Sequence, residues 1–180
     1  MTNNFNNIFK EIKDLEKNSR LVKNAHFLAV QRKQIVHRIL GLLVIIINII
    51  IFSPFLDLVI PKSSAIAVKF LAIISASLAG VQTLFNYQKD VELHLNAGDK
   101  YANIYHRVGV LLAKYTDGLI EKDDFIKEFE VLFKDYLDAN TQYKACIPST
   151  NDYEKAQQSI QKRSQRNTAS EVVEQSQTST

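Results

Sequence analysis

Four histidines, one cysteine and a short acidic run are the residues of this chain whose types could do chemistry. His26, His37, His94 and His106 share no metal-ligand spacing with a carboxylate or thiolate, so each reads as structural or solvated and no metal site is expected. Cys146 has no second cysteine with which to form a disulfide. Glycines at positions 41, 80, 98, 109 and 118 are too dispersed to cradle a phosphate. The run EKDD at residues 121–124 lacks the glycine and distal glutamate of a calcium loop, and it sits where a helix needs Asp123 or Asp124 as a cap. Neither a catalytic residue nor a cofactor is therefore expected. What remains is Asn48, an amide near the middle of ILGLLVIIINIIIFSPFL. At that depth in an apolar run it must find a partner. Another helix or a water-filled lumen could supply one, and a static hydrogen bond within a helical hairpin is the bland alternative.

The element that carries Asn48 is a candidate membrane span over residues 39–57. Its uncharged stretch rises about 27 Å as a helix, close to the thickness of a bilayer hydrocarbon core. A break follows at residues 58–63, with Pro54 just before it in the last turn of the span and Pro61 within it, and a second apolar run occupies 64–86. Lys69 lies about one turn from the break and reads as a snorkelling side chain rather than a pore charge. The second run carries small residues in two adjoining rows, Ala72, Ala76 and Gly80 beside Ser75, Ala79 and Thr83. Small residues let helices approach closely in lipid, so these positions and Asn48 form the expected packing or pore face. Arg20, Lys23, Arg32, Lys33 and Arg38 precede the first span, against Lys62 in the break, which predicts both termini in the cytoplasm. MTNNFNNIFKEIKDLEK has no basic region followed by an apolar one, so the first span is expected to act as an uncleaved anchor.

Outside the spans the pattern is helical. Phe5, Ile8, Ile12, Leu15, Ser19, Val22, His26 and Ala29 recur three and four apart within a cytoplasmic N-terminal helix, residues 1–38. Residues 87–147 predict further cytoplasmic helices. The first has a seam of Tyr87, Val91, His94, Gly98, Tyr101, Tyr105, Val108, Leu112 and Tyr115, along which elements or copies of the chain would pack. Thr116, Asp117 and Gly118 supply a stop. The next helix is expected to bury Phe125, Phe129, Leu132, Phe133, Tyr136 and Leu137. A short helix over 148–163, capped by Ser149 or Thr150, and a disordered Ser/Thr/Gln-rich tail over 164–180 complete the reading.

Composition bounds the rest. With 180 residues, a net charge of +3 and no tryptophan, the chain is one modest unit whose mild basicity belongs to the flank of the first span, and no nucleic-acid binding is expected. The fold class is all-α membrane protein: a two-transmembrane helical hairpin with cytoplasmic helical extensions and a small cytoplasmic helical domain. The bilayer is its first partner. Two spans cannot enclose water, so a pore would need a homo-oligomer.

The layout of a basic helix, RLVKNAHFLAVQRKQIVHRILGLLVIII, a short hairpin, and a second span ending SLAGVQTLFNYQKDVELHLNAGDKYANIYHRVGVLL resembles the SLATT domain, a two-transmembrane effector domain of prokaryotic conflict systems. The resemblance covers residues 19–115, and at most extends to 153. It implies an anti-phage, abortive-infection effector of the bacterial inner membrane that oligomerises into a pore or disrupts the membrane when infection is sensed. It also implies a separate sensor protein or nucleotide-signal system encoded nearby, since no fused sensor domain is recognisable. A non-conducting, membrane-anchored helical scaffold that recruits a cytoplasmic partner is the competing expectation.

Overall fold

The computed structural model describes residues 2–53, 64–85 and 87–177. It is helical throughout, with no strand among the described residues: α1 (Thr2–Phe52), α2 (Ser64–Leu84), α3 (Tyr87–Thr116), α4 (Lys122–Gln142) and α5 (Thr150–Gln177). The expected break at 58–63, together with Pro54, Pro61 and Asn86, lies outside the described residues.

Local chemistry accounts for the helix ends. α1 contains no proline and a single glycine, Gly41, so nothing in its backbone interrupts it before Phe52. α3 closes in a Schellman motif. Gly118 takes a left-handed φ of 69°, Leu119 N–H donates to the Lys114 carbonyl at 2.8 Å, and Gly118 N–H donates to that of Tyr115 at 3.2 Å. The stop read at residues 116–118 is thus built on the one residue that adopts this conformation without strain.

α4 departs from expectation at its start. Its N-cap is Glu121, in extended geometry and without a side-chain cap, whereas Asp123 and Asp124 sit inside the first turn. There they face the positive end of the helix dipole, and Asp124 accepts from Lys127 Nζ at 2.9 Å instead of capping the backbone. At the start of α5, Ser149 and Asp152 cap reciprocally. Asp152 N–H donates to Ser149 Oγ at 3.3 Å, and Ser149 N–H donates to Asp152 Oδ2 at 3.0 Å. α5 then runs well past residue 163, and the tail expected to be disordered is helical as far as Gln177. Its low apolar content says little about backbone state: residues 164–177 hold no glycine or proline, and Gln, Glu, Arg and Ala all favour helix.

The chain divides into two compact units, one of Met1–Ala29 with Leu93–Thr180 and one of Val30–Glu92. In the first, Ile12 and Leu15 of α1 join Ala97, Tyr101, Ile104, Val108 and Leu111 of α3 and Phe125, Leu132 and Ala139 of α4 in one core. Phe9, Tyr115 and Phe125 form an aromatic cluster at one end, the latter two with centroids 4.5 Å apart. Arg107 and Asp135 add an ion pair between α3 and α4. Phe133 and Leu137, expected in this core, are exposed. The buried row of α4 is Phe125, Leu132 and Ala139, with Phe129 and Tyr136 half-buried, and residues 133 and 137 fall one position beyond it.

The second unit is different in kind. Its parts of α1 and α2 are long and apolar enough to cross a membrane. Ile45, Ile49, Phe52, Phe70 and Ile73 are all exposed, so this apolar surface is left uncovered by the other described residues. The polar contacts pair low numbers on α1 with high numbers on α2 and α3: Asn48 with Ser75, His37 with Gln82, and Lys33 with Asp90. Such a ladder is that of α1 running in the opposite direction to α2 and the first turn of α3.

Candidate functional site

Within the first unit, α1 carries His26, α3 carries His94, and the segment between α4 and α5 carries Cys146; all three are buried. The helical period that packs α1 and α3 turns both imidazoles inward. Their Nδ1 atoms stand 3.0 Å apart, so one ring donates and the other accepts. One possible ligand atom from each of the three residues lies within 4.8 Å of the other two. Tyr101 stacks on His26 at 5.7 Å with an interplanar angle of 22°, and its hydroxyl donates to Asn140 Oδ1 at 2.6 Å. Burial, and then the neighbouring His94, push the His26 imidazole down to about 4, which keeps it neutral around pH 7. Burial, reinforced by Tyr136, Tyr153 and Tyr143, pushes the Tyr101 phenol up to about 12.

No local signal could reveal this trio, because 68 residues separate the two histidines. Taking each histidine singly as structural or solvated misses the cluster. Its only trace in the sequence is that both residues fall on apolar-periodic positions, where a polar side chain needs a buried partner. The other two histidines stay apart from it. His37 Nδ1 contacts Gln82 Nε2 at 3.1 Å, and His106 is exposed beside Tyr105.

The expected packing or pore face is only partly assembled. Ser75 is buried and donates to Asn48 Oδ1 at 3.3 Å, which gives the asparagine a partner inside the chain. Ala72, Ala76, Ala79, Gly80 and Thr83 are exposed instead, and a Cβ at Gly80 would meet nothing within 4 Å. The row of α2 turned towards α1 is Ser75 with the half-buried Leu71, Leu78 and Gln82, a helix face to one side of the small residues. Thr83 returns its hydroxyl to the Ala79 carbonyl at 3.0 Å.

The expected seam of α3 is largely occupied. His94, Gly98, Tyr101 and Val108 are buried, and Tyr87, Val91, Tyr105, Leu112 and Tyr115 half-buried. In the first unit this seam, widened by Ala97, Ile104 and Leu111, packs against α1 and α4 of the same chain. Gly98 marks a close approach, since a Cβ there would lie 2.8 Å from Phe27 Cε1.

Beside the core, Arg20, Lys23 and Arg163 line a polar cavity of about 460 Å³ with Asn24, Tyr105 and Ser159. Lys23 Nζ lies 4.3 Å from the centre of the Tyr105 ring, and burial together with Arg20 and Arg163 lowers its pKa. Three like charges round one cavity favour an anion there. The chain matches no family model and gives no significant match to a curated protein or a solved structure.

Proposed function

We propose that the chain is a membrane effector that oligomerises through its two apolar helices to open or disrupt the bacterial inner membrane, as part of an anti-phage, abortive-infection response triggered by a separate sensor. The observation that carries the reading is the uncovered apolar surface of α1 and α2, interrupted by the polar pair Asn48 and Ser75. Apolar side chains such as Ile45, Ile49 and Ile73 are at home against acyl chains and costly against water. The exposed row of Ala72, Ala76 and Gly80 offers a second copy a surface where backbones can approach closely. The resemblance to the SLATT domain supports the same reading.

A second reading has its own support. Because Asn48 is already bonded to Ser75 of the same chain, the spans could be a closed hairpin that anchors a scaffold without conducting. Dye influx on induced expression separates the two. The effector reading expects entry with the parent chain and with Ile46→Leu. Asn48→Leu should lose it at equal membrane abundance, because the interhelical hydrogen bond removed is worth about 0.6–2 kcal/mol while leucine inserts at least as well. Intact membranes at full expression of the parent, with its sensor present and activated, would favour the scaffold.

A further inference from the structure

We propose that His26, His94 and Cys146 bind one Zn²⁺ ion, which clips α1, α3 and the segment between α4 and α5 together inside the first unit. The donor chemistry selects the ion. Two imidazole nitrogens and one thiolate are the borderline-soft set that suits zinc, whereas calcium and magnesium call for oxygen ligands.

The geometry is close to what the ion requires. Tetrahedral zinc, with Zn–N near 2.0–2.1 Å and Zn–S near 2.3 Å, places its nitrogens roughly 3.3 Å apart and nitrogen from sulfur roughly 3.6 Å. The two Nδ1 atoms stand 3.0 Å apart, and all three residues present a donor atom within 4.8 Å of the others. Small side-chain rotations therefore suffice. The three carriers are also held in place. Tyr101 stacks on the His26 ring, the rings of His26 and His94 lie 5.1 Å apart, and Cys146 N–H is tied to the Tyr143 carbonyl at 2.8 Å in a turn. Three protein ligands leave a fourth position to water or a further ligand.

Binding has a definite proton account. Without metal, a single N–H lies between the two Nδ1 atoms. With metal, both lone pairs point at the ion, so that proton moves to the Nε2 of the same ring. The thiol gives its proton to solvent, which is the one proton released if Cys146 starts protonated.

This inference does not depend on the membrane reading and can be tested on the full chain in detergent, purified under reducing conditions with a tag that contains no histidine. Elemental analysis should find one zinc per chain. Replacement by Co²⁺ should give a thiolate-to-cobalt charge-transfer band together with the visible bands of a tetrahedral ion. Cys146→Ala should abolish the charge-transfer band, and Cys146→Ala and His94→Gln should each weaken zinc at least tenfold in competition with a chromophoric chelator. Circular dichroism checks that the variants keep their helices. Zinc content and affinity unchanged in both folded variants would overturn the site. If either variant fails to fold, the cobalt spectrum of the parent decides: the charge-transfer band supports the site, and its absence leaves only a hydrogen-bonded imidazole pair.

Discussion

At Tyr101 one ring serves two purposes, since it stacks on His26 and its hydroxyl donates to Asn140. Its phenol is raised to about 12, so the folded state holds a proton that an unfolded tyrosine releases near pH 10. The raised value contributes stability that is fully present below pH 10 and is lost as pH rises towards 12. With about 1.4 kcal/mol per pH unit, the loss is about 2–3 kcal/mol. Thermal unfolding of the parent should therefore show a steeper alkaline decline between pH 10 and 12 than Tyr101→Phe. Parallel curves would mean that the phenol ionises normally in the folded chain. At neutral pH the variant still gives up the Asn140 hydrogen bond, at about 1 kcal/mol.

Among the elements, α3 is the one on which the first unit turns, and Gly98 shows how tightly. Gly98→Ala gains up to about 1 kcal/mol of helix propensity, but its Cβ would lie 2.8–3.2 Å from three ring carbons of Phe27, an overlap that costs about 1–3 kcal/mol to relieve. A lower melting temperature, by a few degrees, is expected. Gly80→Ala meets no atom and should keep or raise it, so equal responses at the two sites would show that the α3 contact yields freely. α1 to α4 were legible as helices, because they rest on local signals such as the period of residues 87–115, the glycine stop at 118 and the apolar run from Ile39 to Phe52, whereas the length of α5 was not. Nor was rotation about a helix axis. Whether Ala72 or Ser75 of α2 faces α1, and whether Phe133 of α4 lies inside, depends on a neighbour distant in sequence. The same holds for His26, His94 and Cys146, whose meeting is a property of three packed elements rather than of any spacing.

For the whole molecule, the first unit takes in both flanks of the second: the chain leaves it at Ala29 and re-enters at Leu93. A chain that returns to the same folded body can cross a bilayer only an even number of times between those points. The membrane reading therefore places the two flanks on one side, and the basic residues before Ile39 predict that this side is the cytoplasmic one. A fluorescent protein fused after Thr180 should be bright and alkaline phosphatase at the same place inactive; the reverse pattern would refute this topology. The two-part composition of that unit also has a consequence in time. Ile12 and Leu15 are made early, but their partners Val108, Leu111 and Phe125 follow roughly 5–20 s later at ordinary ribosome speeds, after the apolar segments have emerged. Through that interval the newborn N-terminal helix has no core to join.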